Sequence, residues 1–361
     1  MVLAVARAET RTTRRLIHYW LFAALTVGIG CMVYAQLAMT HGDYSGTASG
    51  LGTFNPQFYV GLFGAYFYLW LFVGLIFFAF EIRKRDERDQ IVDVLDSRPF
   101  SNAEYVVGKF CALLPLAWLP ILVLMALLEA AGHLALYTGF PYGTPPEPWS
   151  VAGFLIYAIA GLSLWCAFIM WMATVFRNRL VVAAISLAVI AVQFWTSRNL
   201  PFYLTTVLSM SPGVDYASEI SPRFLGSGEG IRLTAFAVLA MAFLALAARS
   251  YPRNEGPRTA ASTAAGLVLA ALGLAGVGGY YLHQTFPHRQ QEAWLRAHEA
   301  MSRLARPDVL SVGGTLSIAP GDELRYSLDL EVAGDAARPT VFTLNPGMHL
   351  EQVSVDGKKA N

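Results

Sequence analysis

Seven stretches of mostly apolar residues, each near the length of about 20 needed to cross a bilayer, leave this chain little choice of fold class. They run over 16–38, 58–80, 105–132, 151–176, 180–196, 232–249 and 260–282. The fifth and sixth are short, and the third carries Pro115 and Pro120, which are expected to kink it. Composition agrees: 55% of the 361 residues are hydrophobic and 14% charged, where a soluble domain carries about a quarter charged residues. The net charge of +1 gives no argument for nucleic-acid binding. Cys31, Cys111 and Cys166 all fall inside apolar runs, with neither a disulfide framework nor metal-ligand spacing. The first apolar run is too long for a secretory signal and has no small-residue cleavage site after it. The expected fold is mainly α, a polytopic membrane helical bundle.

Orientation follows from Lys and Arg in the short loops. One side holds Arg7, Arg11, Arg14 and Arg15, then Arg83, Lys84, Arg85, Arg88 and Arg98, then Arg177 and Arg179, then Arg249, Arg253 and Arg258. On the other side, loops 39–57 and 133–149 have no Lys or Arg, and 197–231 has only Arg198 and Arg223. The alternation is unbroken. It predicts a multi-pass protein of the cell (inner) membrane with a cytoplasmic N-terminus and an extracytoplasmic C-terminus. Trp20, Trp149, Trp171 and Trp195 lie near span ends, where an aromatic belt places them.

The most charged interruption is 81–109, EIRKRDERDQIVDVLDSRPFSNAEYVVGKF. Ile91, Val92 and Leu95 share one face of a short amphipathic helix, with Asp89, Asp93 and Asp96 away from it. Pro99 stops that helix. Ser101 and Glu104 form a capping box, and Phe100 and Tyr105 occupy the positions of a hydrophobic staple, so a new helix starts here. An exposed helix of this kind suits docking on a cytoplasmic partner, its apolar face in a groove and its charges at the rim.

On the outer side, Leu200 to Met210 is apolar but too short to span. It reads either as a re-entrant helix or as a surface helix on the bundle rim. Beyond His283 the chain turns polar and helix-prone up to Asp308, a stalk. After Pro307 come short alternating runs, LSVGGTLSIAP, ELRYSLDLEV, PTVFTLNP and HLEQVSVDG, separated by Pro, Gly and Asp turns. These predict a small C-terminal β-rich extracytoplasmic unit. About 50 residues with few large apolar groups make a marginal domain; the unit packs on a partner, or it is the front part of a longer chain.

Catalytic signatures are missing from the sequence. Gly108-Lys109 has the end of a P-loop, but Ala103 replaces the upstream glycine and Phe110 the hydroxyl residue, so this chain is not expected to hydrolyse ATP itself. His288, His298 and Glu299 lack H-E-x-x-H spacing, and a solvated stalk accounts for them. No G-x-S-x-G elbow occurs. Glu129 and His133, at i, i+4 near the outer end of the third span, are ionisable groups in a membrane helix and so candidates for a translocation path. Gln193, near the outer end of the fifth, is a weaker one. Gly28-x-Gly30 and Gly61-x-x-Gly64 would permit close helix approach.

The segment RDERDQIVDVLDSRPFSNAEYVVGKFCAL resembles the cytoplasmic link between spans two and three of ABC transporter permeases of the type-2 exporter class. The match lies in the charged helix Asp86 to Asp96, the step Arg98-Pro99, and Tyr105, Gly108 and Lys109 at the start of span three. Ser211-Pro212 followed by Tyr216 is similar to that family's segment between spans five and six, which carries short re-entrant helices. The resemblance implies a six-span permease over 1–250, with 86–98 as the coupling helix. Arg88, Asp89, Asp93, Asp96 and Arg98 would contact a separate cytoplasmic P-loop ATPase subunit, and Ile91 and Leu95 would anchor it. It also implies a second permease subunit, in a homo- or heterodimer, within the lipid bilayer. ATP and Mg would lie on the partner, and this chain would be a transport subunit with no cofactor and no enzymatic site of its own. A seventh span at 251–282, a stalk at 283–308 and the β-rich unit at 309–361 depart from the minimal family pattern. The tail, GGTLSIAPGDELRYSLDLEVAG then TVFTLNPGMHLEQVSVDGKKA, looks like the start of the β-sandwich that precedes the catalytic domain in gluzincin aminopeptidases, as in permease–aminopeptidase fusions. That second likeness implies an alternative: a membrane anchor or scaffold for an extracytoplasmic aminopeptidase-like module, without transport.

Overall fold

The computed structural model describes residues 1–44, 67–76, 101–140, 144–176, 178–210, 228–251, 257–301, 308–319, 323–333, 342 and 348–359. Helices dominate: α1 (Val2–Thr13), α2 (Ile17–Tyr44), α3 (Phe67–Ile76), α4 (Asn102–Thr138), α5 (Pro148–Val175), α6 (Arg179–Asn199), α7 (Phe202–Leu208), α8 (Glu229–Ser250) and α9 (Pro257–Met301). Six of them, α2, α4, α5, α6, α8 and α9, are long and apolar enough to cross a membrane. They fall on six of the seven apolar stretches, and α3 lies within the remaining one. This is the architecture of a multi-pass membrane protein. The chain divides into two compact units, Met1–Tyr281 and Leu282–Asn361.

In the first unit, α4 and α5 form the centre. Leu113, Ile121, Leu124, Phe154, Leu162, Trp165 and Ile169 are fully buried together with Phe67, Leu71 and Leu75 of α3. Indole groups tie the layers: Trp165 Nε1 donates to the Phe72 carbonyl (3.1 Å) and Trp118 Nε1 to the Leu155 carbonyl (3.0 Å). α2 runs parallel to α4, since Tyr19 meets Leu116 and Gly30 meets Leu124. α8 packs on α5 through Phe243, which stacks on Trp171 at 5.1 Å.

α4 passes through both of its prolines. Pro120 has no N–H to give the Leu116 carbonyl, its partner in a regular helix. The Tyr19 hydroxyl donates to that carbonyl at 3.1 Å instead. In a hydrocarbon environment a freed backbone group must be satisfied by protein, and a neighbouring helix does so here.

α9 packs antiparallel along α8. A Cβ at Gly266, Gly273 or Gly276 would press on Leu246, Leu239 or Ala235, so small residues set the close approach. The sequence separates a span ending at 282 from a polar stalk; the helix itself is continuous through Pro287 to Met301.

In the second unit, β1 (Asp308–Ala319) and β2 (Glu323–Ala333) form an antiparallel hairpin, and β3 (Ser354–Val355) pairs with β4 (Lys358–Lys359). The hairpin register places Val312, Leu316 and Ile318 opposite Leu330, Tyr326 and Leu324 on one face. Thr315, Ser317 and Ser311 lie opposite Ser327, Arg325 and Glu331 on the other. The period-2 pattern thus yields a two-faced ribbon, and the apolar residues on it are exposed.

Candidate functional site

The stretch expected to couple to a partner, with Arg88, Asp89, Ile91, Asp93, Leu95, Asp96 and Arg98, lies outside the described residues, as do Pro99, Gly61 and Gly64. The described chain resumes at Ser101. There the capping box is present in both directions: Glu104 N–H donates to Ser101 Oγ (3.1 Å) and Ser101 N–H to Glu104 Oε2 (2.9 Å). Two of the four orphan donors of the α4 N-terminus are satisfied this way.

One turn further, Tyr105, Gly108 and Lys109 gather three elements. Gly108 lies against Val5 of α1, and a Cβ there would sit 2.7 Å from the Val5 Cβ. Lys109 Nζ is 4.0 Å from Glu9 and 5.0 Å from the centre of the Tyr105 ring, and the Lys109 side chain is buried. The Tyr105 ring meets Tyr251, just past α8, edge to face at 5.4 Å. The Y-x-x-G-K pattern therefore has a local structural job. It fastens α1 and the end of α8 to the first turns of α4.

At the opposite end of the unit, Glu129 is half-buried on α4, with Oε2 sealed from solvent and, among the described residues, without a hydrogen-bond partner. At the same end, the Tyr34 hydroxyl of α2 donates to the Thr144 carbonyl at 2.9 Å. His133 is exposed. Gln193 Nε2 donates to the Leu208 carbonyl at 3.3 Å, at the end of α7. Among the described residues, no hydrogen bond or ion pair joins Glu129, His133 and Gln193 to one another.

α7 folds back alongside α6, and the backbone that follows reaches the bundle interior. A Cβ at Gly161 would collide with the Met210 carbonyl; Gly161 lies thirteen residues into α5 from Pro148, about 20 Å along its axis. Of the two readings for Leu200 to Met210, the re-entrant one fits this placement. Its carbonyls need partners, and Arg232 supplies them: Nη1 donates to Thr206 O (2.9 Å) and Ser209 O (2.7 Å). Arg232 Nε and Nη2 both reach Glu229 Oε2, at 2.8 and 2.5 Å. The other carboxylate oxygen accepts from the Tyr280 hydroxyl of α9 at 2.5 Å, which also contacts Thr206 Oγ1 at 3.2 Å. Glu229, Arg232 and Tyr280 are all buried, at 4%, 1% and 1% exposure.

Every nitrogen of that guanidinium and both carboxylate oxygens are occupied, so the cluster is a latch joining α7, α8 and α9. The sequence offers one signal for it, Glu229 and Arg232 at i, i+3 where the sixth span begins, since a charge pair at membrane depth marks a site by default. Taking Arg232 only as the first residue of a span hides it. Among the described residues, no group of three His, Cys, Asp or Glu side chains could hold a metal ion.

No family model matches the chain, and a search of curated proteins finds no match.

Proposed function

We propose that this chain is the membrane subunit of an ATP-driven exporter of the ABC type, with ATP bound and hydrolysed on a separate cytoplasmic subunit docked at 86–98. The observation that carries the reading is the junction at the start of α4. A segment pushing on Ser101 would act on a helix start fixed by a two-way capping box. Within two turns it is fastened to α1 through Val5 and Glu9, and to the end of α8 through Tyr251. Displacement of 86–98 would thus move α1, α4 and α8 together rather than bend one helix. The re-entrant α7 at the far end, held by Arg232, fits the outer segment that the sequence likeness implies. Affinity purification of the full chain from its native membrane, followed by identification of co-purifying proteins, tests this. A stoichiometric P-loop ATPase is expected; its absence under conditions that retain the intact bundle overturns the reading.

The alternative, an anchor for an extracytoplasmic aminopeptidase-like module, draws on the exposed apolar face of the β1–β2 hairpin. It predicts no ATPase in the same purification.

A further inference from the structure

α1 has two faces, and only one is used inside the protein. Val2, Val5, Ala6, Glu9, Thr10 and Thr13 occupy one arc of the helix and are buried or half-buried. Val5 rests on Gly108 and Glu9 faces Lys109, which fixes the rotation of α1 about its own axis. Arg7, Arg11 and Arg14, at i, i+4 and i+7, therefore form a row on the outward arc, flanked by Arg15 and by Leu3, and all five are exposed. No acidic side chain among the described residues pairs with any of the four arginines. Glu9 is the one acid in residues 1–42, and it is turned inward.

The level of this row relative to the bilayer is set by the turn into α2. The Trp20 indole N–H donates to the Arg14 carbonyl at 2.8 Å. Ile17, Trp20 and Leu21 at the start of this apolar helix are 68%, 51% and 62% exposed, as expected of a lipid-facing surface. A tryptophan at the end of such a helix sits at headgroup level. Arg14 is bonded to that tryptophan, and Arg11 and Arg7 follow along the same helix face.

We propose that the Arg7–Arg11–Arg14 row is a binding surface for anionic phospholipid headgroups in the leaflet beside α1. Each guanidinium presents a planar fork of donors to a phosphate. A basic row on an interfacial helix attracts anionic lipid within a Debye length. Because the opposite face of α1 is clamped to Gly108 and Lys109, a lipid held there bears on the start of α4. This inference is independent of whether an ATPase couples to the chain.

The test uses the full chain reconstituted in phosphatidylcholine vesicles containing a trace of spin-labelled phosphatidylglycerol or spin-labelled phosphatidylcholine. The motionally restricted fraction gives the relative association of each lipid. The wild type is expected to prefer the anionic probe, with the preference falling at high salt. Arg7→Gln/Arg11→Gln/Arg14→Gln is expected to reduce it at least tenfold, from roughly fivefold per arginine. The corresponding triple lysine variant retains most of it. Arg179→Gln/Arg249→Gln, which removes two exposed charges outside the row, is expected to leave most of the preference in place. An unchanged preference in the triple glutamine variant, an equal loss in the Arg179/Arg249 variant, or a full loss with lysine overturns the proposal.

Discussion

The Tyr19 hydroxyl donates to the Leu116 carbonyl, the group that Pro120 leaves without an amide partner. The proline in one membrane-crossing helix is thus accommodated by a side chain of another, and the two helices are joined where one would otherwise be weakest. Tyr19→Phe keeps the ring and removes the donor. An average interhelical hydrogen bond in a membrane protein contributes about 0.6 kcal/mol, and an orphaned buried carbonyl raises the cost toward about 1–2 kcal/mol. Reversible unfolding in mixed micelles measures this. No change would mean that water or another group serves Leu116.

The buried latch makes a stronger demand. Arg232→Met leaves the buried Glu229 carboxyl without its guanidinium partner and removes the hydrogen bonds to the Thr206 and Ser209 carbonyls. A loss of about 3–5 kcal/mol is expected from breaking such a pair. Glu229→Gln/Arg232→Met should be less destabilised than the sum of the two single variants, by about 1 kcal/mol or more, because each single variant already loses the contact between the two side chains. Additive losses in a double-mutant cycle would show that the two residues are not coupled.

Gly161 is required by the close passage of the Met210 carbonyl. In a variant lacking the native cysteines, Val207→Cys, buried in α7, should resist a membrane-impermeant maleimide. Adding Gly161→Val should displace the segment and expose that thiol, raising labelling severalfold. Equal protection with and without the valine would place α7 elsewhere.

These contacts mark where sequence reading stops. Hydropathy found the membrane-crossing helices because a bilayer demands long apolar runs, and the capping box at Ser101 and Glu104 was legible because its partners are three residues apart. Tyr19 and Leu116 are separated by 97 positions and Glu229 and Tyr280 by 51, so no periodicity connects them. Tyrosines inside apolar helices look like packing residues until their hydroxyl partners are known. Gln193 is legible as a polar group in a span, whereas its bond to the Leu208 carbonyl at the end of α7 is not. Gly108 and Lys109 have the spacing of half a P-loop or of a family pattern, and their contacts with Val5 and Glu9 supply a packing reason.

The junction at the start of α4 can be probed without reference to any partner. Gly108→Leu should push α1 away, because its side chain would occupy the place of Val5. Spin labels on Ala8 and Leu122, both exposed, in a variant lacking the native cysteines and retaining native lipid, should report a longer and broader distance distribution when Gly108→Leu is added. An unchanged distribution would remove α1 from the proposed rigid junction.

The most direct test of the central proposal is ATPase stimulation in a reconstituted complex of this chain with its co-purifying ATP-binding subunit. Asp93→Lys/Asp96→Lys, on the expected coupling helix, should lower stimulated hydrolysis at least tenfold while expression and membrane insertion stay normal, the loss of two charge-assisted contacts each worth about 1.5–3 kcal/mol. Stimulation equal to wild type, with the variant fully inserted and the subunit bound, would contradict the account.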